Sequence, residues 1–137
     1  MAVTSNAIIT PQTPFSRTAI LTTAEVAFQA PTQVVDLILG ADNVNGARVT
    51  KLIAIPRAAV ATANNIQLYE RTGATYTLID SALMAVVTPA AAVANPKTDF
   101  GISDDNPLYV RSGYGLAAAM GQTIANGVIV KAEGGLY

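Results

Sequence analysis

The stretch from Asn64 to Met84, NNIQLYERTGATYTLIDSALM, decides the fold. In its first half Ile66, Leu68 and Glu70 alternate with Gln67, Tyr69 and Arg71; in its second, Tyr76, Leu78 and Asp80 alternate with Thr77 and Ile79. A period of two is the signature of a strand with two unlike faces. Between the halves lies only Thr72-Gly73-Ala74, and Gly73 supplies the positive φ that a tight hairpin turn or its bulge requires. The spacing predicts a β-hairpin, to which the rest of the chain adds strands.

Upstream, Ala47 to Pro56 (ARVTKLIAIP) reads as a strand with Val49, Ile53 and Ile55 on one side, closed by Pro56. Val34 to Leu39 is a short buried run, and the segment from Ala41 to Gly46 is turn chemistry. Thr18 to Gln29 places Ile20, Thr22, Ala24, Val26 and Phe28 at period two, which favours a strand although Ala and Glu lean towards helix. Met1 to Arg17 holds Pro11 and Pro14, which block helix and central strand alike, and reads as an extended arm. Ile8, Ile9 and Phe15 would be wasted on a free tail, so the arm is expected to lie along a neighbour.

Downstream of Met84 a long loop is broken by Pro89, Pro96 and Pro107, with a short strand near Ala85 to Val87; loops of this length often carry interactions. Leu108 to Ser112 alternates again. Leu116 to Met120 reads as a small-residue strand or one helical turn, and Val128 to Glu133 as a last strand. Gly134-Gly135 would then permit a sharp turn that tucks Tyr137 against a sheet end or a neighbouring subunit, the alternative being a frayed tail. Strand candidates separated by turn signals imply an all-β fold, an antiparallel β-sandwich or jelly roll. The expected organisation is an extended N-terminal arm over 1–17 and a single domain over 18–137.

The 137 residues are 51% hydrophobic but only 12% charged, where average domains carry about 25%. A surface this poor in charge suits a protein covered by neighbours for much of its life. Eight basic and nine acidic residues leave a net charge of -1 with no basic stripe, which argues against nucleic acid and membrane surfaces as partners. No run reaches the ~18 apolar residues of a membrane span, and the N-terminus lacks a secretory pattern, so synthesis in the cytoplasm is expected.

Cysteine and histidine are absent, which removes thiolate nucleophiles, Cys/His zinc sites and the Ser-His-Asp arrangement. Asp99, Asp104, Asp105 and Asn106 could offer oxygens to a hard cation, but their spacing matches no EF-hand loop and a solvated or partner-facing loop is the simpler reading. Glu25, Glu70 and Asp80 are the carboxylates that could support glycoside hydrolysis without histidine. Facing Arg71, Lys51 or water explains Glu70 and Asp80 more simply. The five tyrosines are too dispersed for a carbohydrate or base-stacking platform.

The order LYERTGATYTLID, then a Pro/Ala connection, then NPLYVRSGYGLAAAMG, then VIVKAEGGLY resembles a class of small virion proteins from tailed bacteriophages. Members share a Gly-turn hairpin, a P-L-x-V-x-x-G-x-x-L segment and a last strand ending in Gly-Gly-Asp-Tyr, where Leu136 here replaces the Asp. The resemblance covers Ala47 to Tyr137. It implies a non-enzymatic head decoration or cement protein, typically a trimer, that stabilises the shell by bridging major capsid protein subunits on the outer surface of the virion. No cofactor, metal or small-molecule substrate is expected. Contacts with the capsid are expected from the arm residues Ile8, Ile9, Pro11, Pro14, Phe15 and Arg17 and from the loop residues Pro89, Pro96, Lys97, Asp99, Phe100, Asp104 and Asp105, with Tyr137 touching a neighbouring subunit. The rival expectations are a tail, neck or fibre component, a host-surface glycan-binding module and a small carboxylate hydrolase.

Overall fold

A computed structural model describes residues 10–137. Among these residues nine strands form two antiparallel sheets: β1 (Thr13–Leu21), β2 (Val35–Ile38), β3 (Ala47–Pro56), β4 (Asn64–Thr72), β5 (Thr75–Met84), β6 (Thr98–Asp99), β7 (Leu108–Val110), β8 (Gly115–Met120) and β9 (Val128–Leu136). One sheet runs β1-β9-β3-β6, with β7 also on β3, and the other runs β2-β8-β4-β5. The hairpin at Gly73, whose φ is 61°, is the tip of a larger nested pairing. Outside β4-β5 come β3 with β6 and β7, then β2 with β8, then β1 with β9. Rolling that ladder up so that β9 also pairs β3 and β8 also pairs β4 yields a jelly-roll sandwich.

The core is the space between the sheets. Val49, Leu52 and Ala54 of β3 and Val128, Val130 and Ala132 of β9 meet Ile66 and Leu68 of β4 and Leu116, Ala118 and Met120 of β8. Leu52 is fully buried there, so Leu52→Ala should lower the unfolding free energy by about 2–5 kcal/mol, measured by urea titration. A loss under about 1 kcal/mol would mean that the sheets close over the gap.

β8 settles as a strand and not as a helical turn, and all six of its residues are buried. Its inner face meets the other sheet. Its outer face, with Ala117 and Ala119, lies in a second small apolar cluster with Tyr69, Val34 and Tyr76. Small residues suit a central strand covered on both sides.

Several expectations are corrected. β1 begins at Thr13, so Thr13 to Arg17 are sheet and not arm; Pro14 is tolerated because β1 is an edge strand. The strand expected over Thr18 to Gln29 stops at Leu21, and the apparent alternation at Val26 and Phe28 falls on an exposed loop. In β3 the register slips between Val49 and Lys51, leaving Thr50 as an extra residue. Beyond this bulge Leu52 and Ala54 face the core, and Ile53 and Ile55 turn away from Val49's side. Gly134-Gly135 make no turn, because β9 runs straight through to Leu136 between β1 and β3. Near Val87 there is a single bridge to Val60 in place of a strand.

Candidate functional site

β5 ends its sheet, and its far edge is unpaired among the described residues. Leu78, Ile79 and Leu83 on β5 are exposed, as are Val86 and Val93 in the loop that follows, Leu83 by 69%. The strand carries one charge, Asp80, and no lysine or proline to blunt its edge. Its one irregularity is a register slip opposite Leu68 and Tyr69 that leaves Ile79 unpaired. The signal for this surface lay in the sequence: Leu78-Ile79 and Leu83-Met84 are adjacent apolar pairs, which break the apolar-in, polar-out rule of a strand with one wet face.

Beside β5 lies a groove of about 460 Å³ walled by Ser81 to Ala85 on one side and Pro96 to Phe100 on the other. A second groove, about 410 Å³, crosses the outer face of the β1-β9-β3 sheet and includes Pro11, Pro14, Phe15, Arg48, Asp104 and Gly135. The expected contact residues therefore divide. Pro96, Lys97, Asp99 and Phe100 line the first groove, whereas Pro11, Pro14, Phe15 and Asp104 line the second. Ile8 and Ile9 lie outside the described residues.

Individual placements refine this further. Phe15 and Phe100 are half-buried, each packing against the chain's own core while lining its groove. Arg17 stands 3.9 Å from Asp42, both half exposed, and Arg48 reaches Asp104 at 3.4 Å. Asp99 Oδ1 accepts the Gly101 N–H at 2.8 Å, closing its own turn. Pro89 is half-buried, and Lys97 and Asp105 are exposed. Tyr137 donates its backbone N–H to the Gly46 carbonyl at 3.0 Å, and its carbonyl accepts from Asn45 Nδ2 at 3.3 Å, so its backbone is held within the chain.

The carboxylates do not converge. Glu70 is held by Arg111, whose guanidinium also stacks 4.0 Å over the Tyr114 ring. Asp80 accepts the N–H of Ser81 at 2.8 Å. Glu25 sits under a loop on the other face of the sheet, against Gln67. Among the described residues no three acidic side chains come together as a metal cage. Tyr69 is fully buried and donates to Gln67 Oε1 at 2.6 Å. Burial, with the Glu25 charge second, pushes that phenol above its ordinary value. Tyr109, by contrast, is largely exposed.

No protein-family model matches the chain, and no curated protein matches it in sequence.

Proposed function

We propose that this chain is a structural subunit of a tailed-phage head: a decoration protein that binds the outside of the shell and bridges major capsid protein subunits as a homotrimer. The observation that carries the reading is a set of exposed apolar side chains, Leu78, Ile79 and Leu83 on an edge strand without lysine or proline and Val86 and Val93 in the loop that follows it. Such side chains on a surface so poor in charge suit permanent cover by a neighbour. The jelly roll adds support by analogy only, since it serves viral capsid domains, lectins and cupins alike. The sequence resemblance over Ala47 to Tyr137 favours the first of these.

Cementing of this kind makes and breaks no covalent bond. Each apolar contact laid across a capsomer boundary contributes about 25 cal/mol per Å² removed from water. A subunit that binds the assembled shell and not its separated parts shifts the equilibrium towards the intact particle. Loading Leu83→Asp protein onto shells of the phage whose genome encodes the chain should abolish co-sedimentation. Its thermal midpoint should stay within a few degrees of the parent, because residue 83 is exposed. Unchanged binding by that variant would remove β5 from the interface.

Antibody labelling of intact virions tests the location directly, with signal expected over the head. Signal confined to the tail would replace the shell role with a neck, tail or fibre role. Adsorption of the isolated protein to host cells would favour glycan recognition.

A further inference from the structure

Between β1 and β2 the chain crosses the outer face of the β2-β8-β4-β5 sheet, and one buried carboxylate organises the crossing. Ala24 forms a parallel bridge with Met120, and the Glu25 N–H donates to the Met120 carbonyl at 2.7 Å. Glu25 is 3% exposed. One of its carboxylate oxygens accepts the Ala27 N–H at 2.8 Å, and the other accepts those of Thr32 and Gln33, each at 2.6 Å. The carboxylate thus joins the start of the loop Val26 to Gln33 to its end.

Little else holds this loop. All of its residues except Pro31 are exposed, with Val26 at 78% and Phe28 at 47%, and VAFQAPTQ contains no charge. Among the described residues, no backbone–backbone hydrogen bond outside the strands involves Val26 to Gln33. We propose that the Glu25 carboxylate is a latch that fixes Val26 to Gln33 in its displayed conformation, and that acid releases the loop while both sheets stay folded. The device sets the presentation of two exposed apolar side chains and stands independently of the capsid reading.

Three strands bring groups up to Glu25 and its loop. β4 presents Tyr69, whose hydroxyl is engaged by Gln67, and Gln67 Nε2 donates to the Glu25 carbonyl at 3.2 Å. β8 presents Ala117 and Ala119, neither of them titratable, and Asp36 of β2 is paired with Arg71 of β4 at 2.7 Å. Burial raises the Glu25 carboxyl, but the N–H donors of Gln33, Ala27, Thr32 and Val26 together outweigh it and hold the group below its ordinary value. A depressed folded-state value contributes stability that is present above the unfolded value and lost as pH falls through the folded one. The latch therefore holds at neutral pH and opens only in acid, below the ordinary carboxylate range.

The test follows the backbone amides of the full chain by NMR from neutral pH to about pH 3. The amides of Ala27, Thr32 and Gln33 should move together with one midpoint, below that of exposed carboxylates, while core amides such as those of Leu52 and Val130 stay in place. In Glu25→Gln the same three amides should exchange with solvent roughly tenfold faster or more at neutral pH, with the core unchanged and the pH response gone. Chymotrypsin should cut that variant after Phe28 faster than the parent. The proposal is overturned if the three amides do not respond to pH, or if they respond only together with the core as the whole domain unfolds. The wild-type titration decides the matter by itself should Glu25→Gln fail to fold.

Discussion

Gly134→Val should cost about 3 kcal/mol or more and leave little folded protein, although it only exchanges a glycine within a strand for a good strand former. Gly134 sits in β9 between Phe15 of β1 and Val49 of β3. A Cβ built there lands on the Arg48 carbonyl oxygen and presses on the Arg48 carbonyl carbon and Val49 Cα. All three are backbone atoms, so no rotamer change relieves the overlap; the pairing of β9 with β3 has to open. The β3 bulge at Thr50 lies immediately alongside and fixes the path of that backbone. Gly73→Ala is the control. Its added methyl meets nothing within 4 Å, so it pays only for the positive φ, roughly 1 kcal/mol. Urea midpoints for the two variants check the contrast, and a Gly134→Val midpoint close to that of Gly73→Ala would refute the close-approach argument.

Removing residues 1–17 should destabilise the domain itself. The deletion takes Thr13 to Arg17 out of β1, and with them the partners of Ala132 to Leu136 on β9. It also takes Phe15, which packs on the core. At about 1 kcal/mol for each lost backbone hydrogen bond and about 1 kcal/mol for a half-buried aromatic ring, the loss is on the order of 5 kcal/mol. That is the whole stability of a marginal domain. Circular dichroism should show a broadened, lowered thermal transition. An unchanged transition would mean that the first half of β1 contributes nothing to the sandwich. Loss of shell binding by this truncation would therefore report unfolding before it reported a contact.

The hairpin, both ends of β3 and the strands at β2, β7 and β9 were legible because period two and turn chemistry are local properties. Local signals misled where the answer depended on a neighbour. Pro14 reads as a strand breaker until β1 is found at an edge, and Val26 and Phe28 read as a strand face until their side chains are found in solvent. The alternation around Leu78 reads as a strand with two unlike faces, and that Leu78, Ile79 and Leu83 all stay exposed depends on what packs over β5.

By itself the sequence determined an all-β chain with a Gly73 hairpin, a composition of only 12% charged residues, and the absence of cysteine and histidine. Only the tertiary structure decided the nesting of β1 with β9 around β4-β5, the face that β3 turns inward after Thr50, the straight course of β9 through Gly134-Gly135 and the burial of Glu25 under its loop. The physical reason is common to all four. Alternation says which residues share a face, whereas register, close backbone approach and burial are relations between segments far apart in the chain, and no local pattern encodes the partner.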